Sequence, residues 1–272
     1  MPAGLPEVAV AGLGLVGGSL ARALTAAGYR VVGVDRESVR RAARRAGAVA
    51  AGAGTVERVA AADVVVLAAP PSVNRRLLRR LARVGRPGLV ITDVGSVKGP
   101  IVDDAARLGL RSFVGGHAMA GSERQGFGAS SADLFRGAAW WLVPAPDARA
   151  TRAVRALVRT VGARPQTIDA HVHDRVVAFL SHVPQMTSWA LLEAARADPV
   201  ARRFLSSAGP GFRDMTRLAR SPRGLWREIL RENRSEVARA LAAVSGRLAA
   251  NQVPAPGPEE RGGATARSAK RR

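Results

Sequence analysis

The sequence contains no cysteine, few aromatic residues and no long apolar run. Without cysteine, disulfide bridges, thiolate nucleophiles and cysteine–zinc sites are excluded, which fits a cytoplasmic protein. Aromatic residues make up 4% of the chain, so the stacking platforms of RNA-binding proteins are scarce. No apolar run is long enough to cross a bilayer, and the N-terminus lacks the basic and apolar segments of a signal peptide. Together these absences favour a globular protein of the cytoplasm.

Basic residues, in contrast, are abundant. There are 42 Lys and Arg against 21 Asp and Glu, a formal net charge of +21. Only Lys98 and Lys270 are lysines, so arginine carries nearly all of this charge. A nucleic-acid-binding protein needs clustered basic residues, whereas here they are scattered through every segment. Nucleic acid is therefore not expected as the main partner. A bias towards Arg and Ala also explains the charge, and the resulting field would attract anionic substrates.

The first half of the sequence alternates short β-branched runs with helical stretches. Such alternation predicts a parallel sheet covered by helices on both faces, with strands near residues 8–11, 31–34, 63–67 and 89–92. From about Ala150 onwards, apolar residues recur at helical spacing and no strand pattern is evident. We therefore predict a Rossmann-type doubly wound α/β domain over residues 1–147, an all-helical domain over 148–252 and a disordered basic tail over 253–272.

A glycine-rich motif follows the first predicted strand and opens the first predicted helix. It reads Gly12-Leu13-Gly14-Leu15-Val16-Gly17. In such a turn the first glycine permits a tight bend, the second lets the backbone approach a pyrophosphate, and the third lets the helix pack on the strand. The free N–H groups of the helix would bind the diphosphate. The motif alone is weak, but its position between a strand and a helix indicates a dinucleotide site.

An acidic residue at the end of the second predicted strand bears on the choice of cofactor. Asp35 lies eighteen positions beyond Gly17, near the spacing of about 20 residues expected for a ribose contact. A carboxylate there would bind the ribose hydroxyls of NAD and repel the 2′-phosphate of NADP. Arg36 could instead pair with that phosphate. The acidic side chain favours NAD, and NADP stays open.

Four further segments resemble those of prephenate dehydrogenases and their arogenate-using relatives. They read Thr92-Asp93-Val94-Gly95-Ser96-Val97-Lys98, Gly115-Gly116-His117-Ala118-Met119-Ala120-Gly121-Ser122-Glu123, Ser181-His182-Val183-Pro184-Gln185 and Gly211-Phe212-Arg213-Asp214-Met215-Thr216-Arg217. The likeness covers residues 8–248. It implies a nucleotide domain followed by a helical dimerisation domain, hence a homodimer, with the active site between the two domains. The implied reaction is the NAD-dependent oxidative decarboxylation of prephenate, or of arogenate, on the route to tyrosine.

The resemblance also assigns the catalytic residues. The reaction needs a base of near-neutral pKa for the substrate hydroxyl, and His117 matches the histidine of the family's Gly-Gly-His motif. A structural histidine on a glycine-rich loop is the alternative. Ser96, just past a strand's carboxyl end, matches a serine that hydrogen-bonds the substrate hydroxyl and the catalytic histidine. It could equally cap the segment that follows.

The remaining predicted contacts concern the substrate. Arg213 and Arg217 are four residues apart, hence on one face of a predicted helix. By resemblance Arg217 binds a substrate carboxylate and Arg213 reaches across the dimer, while a solvated arginine face is the alternative. Trp226 either shapes the pocket or belongs to a helix core. Gln185 stands where many prephenate enzymes carry a second histidine, and it cannot become cationic. Its presence leaves the choice between prephenate and arogenate open.

Three other histidines have no firm role. His182 lies on a mostly apolar helix, where packing explains it as well as catalysis does. His171 and His173 alternate on a predicted loop, and a metal site there lacks further ligands. Two other functions stay open. One is a two-domain dehydrogenase of the hydroxyacid or imine-reductase kind, and the other is an inactive nucleotide-sensing or nucleic-acid-binding protein.

Overall fold

The computed structural model describes residues 5–52, 55–122 and 124–250. Its centre is an eight-stranded sheet with the strand order 3-2-1-4-5-6-7-8. The strands are β1 (Val8–Ala11), β2 (Val31–Val34), β3 (Ala51–Gly52), β4 (Val64–Leu67), β5 (Val90–Asp93), β6 (Phe113–Ala118), β7 (Ala139–Val143) and β8 (Arg164–Thr167). The first six are parallel to one another, whereas β7 is antiparallel to β6 and β8 follows the direction of β7. The predicted doubly wound α/β fold is confirmed.

Within the described residues, six α-helices accompany the sheet and five form the second domain. The first group is α1 (Leu15–Ala26), α2 (Glu37–Arg45), α3 (Val56–Ala60), α4 (Pro71–Val84), α5 (Gly99–Arg107) and α6 (Ala148–Thr160). The second group is α7 (Ala170–Val177), α8 (Val183–Ala197), α9 (Pro210–Thr216), α10 (Arg223–Glu232) and α11 (Arg234–Ala250). Among the described helices, none has the length and apolar character that a membrane span requires.

The central strands of the sheet are buried on both faces. Successive side chains of each strand point to opposite faces, so each central strand contributes to two cores. In β1, Val8 and Val10 join a core with residues of α1 and α6. Ala9 and Ala11 join a second core with residues of α4 and α5 on the other face. This double burial explains why the central strands read as continuous apolar runs.

The predicted domain boundary at residue 147 is wrong, because the sheet continues to Thr167. Helix α6 contributes Val154 and Leu157 to the sheet core, and β8 pairs with β7. The sequence pattern does not predict strand β8, because β8 is a largely exposed edge strand of sequence Arg-Pro-Gln-Thr. Edge strands tolerate proline and need no apolar alternation. The helical domain therefore begins near α7, and the predicted tail at 253–272 lies outside the described residues.

Helices α7 and α8 are joined without a break by a π-helical turn, Ala178–His182. Pro184 follows at once in the first turn of α8, and a proline cannot donate a helical hydrogen bond. The wider turn accommodates that missing donor, and such turns often occur at functional sites. The turn ends on His182, which is fully buried.

The helical domain exposes many large apolar side chains. Its own buried cluster is small and contains Ala178, Val183, Val237 and Ala240. The exposed residues are Val172, Phe179, Leu180, Val200, Phe204, Met215, Leu225 and Leu248. Apolar exposure concentrated on one part of a molecule is typical of an association surface.

Candidate active site

The glycine-rich turn lies at the carboxyl edge of the sheet, where the chain passes from β1 into α1. Strand β1 lies between β2 and β4, so the strand order reverses there, and ligands of open α/β sheets bind at such a point. Gly12 has φ +100°, and a Cβ on it would lie 2.5 Å from the Ala68 carbonyl oxygen. A Cβ on Gly17 would lie 1.8 Å from the Gly12 carbonyl oxygen. Both glycines are therefore required by the fold itself.

Gly14 differs from its two neighbours in the motif. A Cβ on Gly14 would meet no atom within 4 Å, so the fold leaves space there that a pyrophosphate could occupy. Helix α1 begins at Leu15, within the glycine-rich motif, and has no side-chain cap. Helices leave their first N–H groups without intrahelical acceptors, and here these are the amides of Leu15, Val16 and Gly17. The turn is thus suited to an anion.

Asp35 fastens the end of β2 to the glycine-rich turn. One carboxylate oxygen accepts a hydrogen bond from the Leu13 N–H at 2.7 Å, and the other accepts one from the Arg36 N–H at 2.7 Å. A carboxylate has further lone pairs for ribose hydroxyls. Leu13 itself is fully buried, and its predicted role at the cofactor site stays a prediction. The Leu13 side chain packs over Gly33 in the core.

His117 lies on β6, one residue before its end, and not on the predicted loop. The two preceding glycines let β6 pack tightly. A Cβ on Gly116 would lie 2.3 Å from the Asp93 carbonyl oxygen, and one on Gly115 would lie 3.2 Å from Val102 and Val143. The Gly-Gly-His motif therefore brings the imidazole close to the carboxyl end of β5. From β1 to β6 is three strand spacings, roughly 14 Å, so one extended ligand could reach both the turn and His117.

A buried ion pair holds β5 and β6 together beside this histidine. The Lys98 ammonium contacts the Asp93 carboxylate and donates a hydrogen bond to the Gly116 carbonyl oxygen at 2.7 Å. The same carboxylate accepts the Gly116 N–H at 2.9 Å. Lys98 is completely buried and Asp93 almost so. Removing one partner would leave an uncompensated buried charge, at a cost of about 3–5 kcal/mol.

His117 forms a chain of hydrogen bonds with two residues of α7. Its Nδ1 lies 2.8 Å from Nε2 of His173, and Nδ1 of His173 lies 2.7 Å from the Asp174 carboxylate. The Trp141 ring packs edge-on against both imidazoles, with centroids 6.2 Å from His117 and 5.4 Å from His173. His117, His173 and Asp174 are all buried. The first hydrogen bond joins the two domains.

The surroundings of His117 favour its neutral form. Burial lowers the pKa of His117 well below its usual value of 6.5, and positive charge at His173, Lys98 and His182 would lower it further. The ring therefore carries one proton and one free lone pair at neutral pH. A buried neutral imidazole of this kind can accept a proton from a substrate.

His173 and Asp174 were missed as site residues. The predicted loop at this point is wrong, because Asp169 caps α7 by accepting hydrogen bonds from the His171 and Val172 N–H groups at 2.8 and 3.1 Å. On this helix His171 is exposed and His173 is buried. A helical reading of 170–177 would have placed His173 one turn from the buried Val177, but no local signal points to His117. Among the described residues, no group of three or more His, Asp or Glu side chains is arranged so that it could hold a metal ion.

Ser96 lies in the bend between β5 and α5 and is half-buried. It does not cap α5, because Asp174 accepts the N–H groups of Lys98 and Gly99 at 2.7 and 2.8 Å. Within the described part of the chain, the Ser96 hydroxyl makes no hydrogen bond, to His117 or to any other residue. Its position past the carboxyl end of a strand leaves it available to a ligand.

Gln185 on α8 and His182, which directly precedes α8, are both fully buried. The Gln185 amide donates a hydrogen bond to the Leu218 carbonyl oxygen at 2.7 Å, and within the described residues its own oxygen has no partner. Nδ1 of His182 accepts from the Asn233 amide at 3.1 Å, and burial lowers the pKa of His182 to about 4. The Trp226 ring stands edge-on to His182, with centroids 5.9 Å apart. Trp226 thus packs against the histidine that ends the π-helical turn.

The two predicted substrate arginines lie on the surface of this single chain. Helix α9 ends at Thr216, and Arg217 begins a 3-10 segment, Arg217–Arg220, so the prediction of one shared helix is wrong. Arg213 and Arg217 are both exposed, and the Arg213 guanidinium contacts the Ala208 carbonyl oxygen. Neither arginine is placed beside His117 by a described contact, and their roles stay predictions.

The glycine-rich turn, the sheet topology and the helical second domain define a two-domain protein with a nucleotide-binding α/β fold. The family model "Prephenate dehydrogenase, nucleotide-binding domain" matches residues 20–167, and "Prephenate dehydrogenase, dimerization domain" matches residues 169–250. The chain belongs to the prephenate dehydrogenase family. The two matches meet near α7, as the domain limit of the structure does.

Relatives of the chain include proteins of named activity. A prephenate dehydrogenase of Lactococcus lactis subsp. cremoris is 33% identical over 84% of this chain, and one of Bacillus subtilis is 34% identical over 85%. The chain spans 65% of the length of each of these two curated relatives.

Two solved structures are also similar. Prephenate dehydrogenase of Aquifex aeolicus, in complex with hydroxyphenyl propionate and NAD+, has a TM-score of 0.85 at 28% identity, covering 92% of this chain and 90% of its own. Synechocystis arogenate dehydrogenase has a TM-score of 0.77 at 28% identity, with 90% of both chains covered. The relatives therefore include users of both substrates considered above.

Proposed function

We propose that the protein is an NAD-dependent prephenate dehydrogenase, a cytoplasmic enzyme of tyrosine biosynthesis. The observation that carries the proposal is the buried, neutral His117 near the carboxyl edge of the sheet. The glycine-rich turn lies at the same edge. A base near a bound dinucleotide suits the oxidation of an alcohol. The family match and the Aquifex aeolicus complex with NAD+ support the same reaction.

Each site residue has a definite task in this reaction. Bound NAD would supply the hydride acceptor for the carbinol carbon of the substrate ring. His117 accepts the hydroxyl proton, and Ser96 orients that hydroxyl. Arg217 holds a substrate carboxylate, and the ring carboxyl group leaves as carbon dioxide when the ring becomes aromatic. Because carbon dioxide escapes, the reaction is effectively irreversible.

The cofactor is expected to be bound by backbone and carboxylate groups. The open space at Gly14 and the unpaired amides at the start of α1 would receive the diphosphate. Asp35 would accept hydrogen bonds from the ribose hydroxyls, and its negative charge disfavours the 2′-phosphate of NADP. The Arg36 side chain is 87% exposed and 4.0 Å from Asp35, so NADP binding is the weaker alternative.

The working form is expected to be a homodimer through the helical domain. The apolar side chains exposed on that domain support this assignment, as does the match of residues 169–250 to a dimerisation domain. Arg213, exposed in one chain, would then reach the partner's site.

The direct test is a turnover assay with the purified full chain. NADH formation from NAD would be followed by ultraviolet absorbance, with prephenate and with arogenate as separate substrates. We expect turnover that depends on one or both. No turnover with either, in a folded dimer that binds NAD, would show that the proposed activity is wrong.

Arogenate is a second candidate substrate, and Gln185 favours it. The Leu218 carbonyl can only accept a hydrogen bond, so the nitrogen of the Gln185 amide must face it. The unpartnered atom is consequently the amide oxygen, a buried acceptor. An acceptor suits the ammonium group of arogenate better than the keto acid of prephenate. Against this, the net charge of +21 favours prephenate, which carries one more negative charge.

Replacing Gln185 by His tests this choice. The substitution brings a donor in place of the buried acceptor, so kcat/KM should shift towards prephenate relative to arogenate. One charge-assisted hydrogen bond corresponds to roughly 1.5–3 kcal/mol, about ten- to a hundredfold in kcat/KM. The measurement is kcat/KM for both substrates in the wild type and in Gln185→His. An unchanged ratio would mean that Gln185 has no part in substrate choice.

A further inference from the structure

We propose that His173 and Asp174 are positioning residues that fix the tautomer of His117 and leave its Nε2 as the proton acceptor. The inference deepens the proposed function, because it takes His117 as the base. It depends on the chain of hydrogen bonds that runs from Asp174 through His173 to His117. The sequence offered no sign of this chain.

The first step is the orientation of His173 by Asp174. The Asp174 carboxylate accepts the N–H groups of Lys98 and Gly99 at 2.7 and 2.8 Å, so its place beside the start of α5 is fixed. It lies 2.7 Å from Nδ1 of His173. A bare ring nitrogen and a carboxylate would repel each other at this distance. Nδ1 of His173 must therefore carry a proton and donate it to Asp174.

The second step is the orientation of His117 by His173. Burial lowers the pKa of His173, and Lys98 acts in the same direction, while Asp174 and Asp93 oppose it. In the neutral ring, a proton on Nδ1 leaves Nε2 as an acceptor. That acceptor lies 2.8 Å from Nδ1 of His117. The proton between the two rings must therefore belong to Nδ1 of His117.

The third step concerns the nitrogen that remains. With a proton on Nδ1, Nε2 of His117 has a free lone pair and can accept the substrate's hydroxyl proton. After the transfer both nitrogens of His117 carry protons, and Nδ1 still donates to His173. The positive charge is then stabilised by a hydrogen bond to the same acceptor. The opposite tautomer would present an N–H group to the substrate and could not act as a base.

The fixed surroundings of the two rings make one arrangement dominant. His173 and His182 are completely buried and His117 is nearly so. Trp141 packs edge-on against both rings of the chain. The charged or titratable groups around them are Lys98 and Asp93 from β5 and its following bend, Asp174 from α7, and His182 from the π-helical turn. A ring rotation would break at least one buried hydrogen bond.

The tautomers can be observed directly by nitrogen-15 NMR of histidine-labelled protein. The chain contains only 4 histidines, and His117→Asn and His173→Gln assign two of them by loss of signal. We expect His117 and His173 to show a protonated Nδ1 and a bare Nε2. Free histidine prefers the opposite tautomer, so this signature is diagnostic. A protonated Nε2 on His117 in the wild-type protein would overturn the proposal.

Kinetics of three variants test whether the tautomer matters for turnover. His173→Leu removes the acceptor and should lower kcat on the order of 10–100-fold, with little change in KM for NAD. His173→Gln retains an acceptor at the same reach and should recover most of kcat. His171→Leu is the matched control, since His171 is exposed on the same helix, and it should behave as wild type.

The outcomes separate this inference from the proposed function. If the wild type turns over neither substrate yet shows the expected tautomers, the assigned activity fails and the tautomer relay stands. If the wild type is active and His173→Leu keeps both its kcat and the His117 tautomer, the relay is wrong. If His173→Leu does not fold, the proposal is still tested by the NMR spectrum of the wild type and by kcat of His173→Gln. A folded His173→Gln that is as slow as a His117 variant would also overturn the proposal.

Discussion

A histidine that serves as a base must be neutral before the reaction and stabilised as a cation after it. Burial secures the first condition by lowering the pKa of His117, and the nearby Lys98 ammonium lowers it further. The hydrogen bond from its Nδ1 to His173 serves the second. The lowered pKa and the hydrogen bond therefore act on the same imidazole ring, one before and one after the proton transfer.

The lowered pKa of His117 predicts an unusual pH profile. The neutral form is the active one, and its pKa lies well below 6.5. Activity should therefore persist as the pH falls through 6.5 and decline only at clearly more acidic pH. The measurement is log kcat/KM against pH in a range where circular dichroism shows the fold intact. An acidic limb at 6.5 or above would contradict the described burial of His117.

Removal of the base should slow turnover strongly without affecting cofactor binding. His117→Asn can still hydrogen-bond the hydroxyl, but it cannot accept the proton. We expect kcat to fall on the order of 10²–10⁴-fold, with Kd for NAD unchanged. His171→Asn on the exposed side of α7 is the control. A His117→Asn variant within a few-fold of wild type would show that another group is the base.

Helices, strands and turns could be predicted from the sequence where the residues of one segment are sufficient to determine its conformation. The turn around Gly12 and the apolar strands of the sheet follow from strand, turn and helix signals in sequence order. Strand β8 did not, because an exposed edge strand needs no apolar pattern. His173 was missed for a different reason: its partner His117 is 56 residues away, and the contact is created by packing of two domains.

The glycine-rich turn offers a paired test of fold against ligand binding. Gly17→Ala places a Cβ 1.8 Å from the Gly12 carbonyl oxygen, so it should destabilise the protein. Gly14→Ala meets no protein atom within 4 Å, so it should fold normally and weaken NAD binding. Thermal melts and NAD titrations of both variants are the measurements. Equal NAD affinity in Gly14→Ala and wild type would place the diphosphate elsewhere.

At the scale of the whole molecule, the helical domain of a single chain leaves a large apolar surface uncovered. Its buried cluster is small, whereas several of its large apolar side chains are exposed, among them Leu180 and Phe204. A second copy of the chain would bury this surface, which the proposed homodimer requires. The single sequence predicted such association only through its family resemblance, because exposure is a property of the folded chain.

The dimer can be tested at one exposed leucine. Leu180 lies within the π-helical turn and is 64% exposed. A charge there should disrupt a buried apolar interface, so Leu180→Asp should sediment as a monomer at concentrations where the wild type is a dimer. Leu5→Asp is the control, because Leu5 is 53% exposed and lies in the nucleotide-binding domain. A dimeric Leu180→Asp would place the interface elsewhere.

Because Lys98 is buried, its reactivity towards acylating reagents reports on the opening of the sheet. Amine-acylating reagents can reach its ammonium only when β5 and β6 separate, because it is enclosed by Asp93 and the Gly116 carbonyl. The sequence contains one other lysine, Lys270, so a mass spectrum of the labelled peptides is simple to interpret. The acylation rate at Lys98 measures how often the strand pair that carries His117 opens in the native protein.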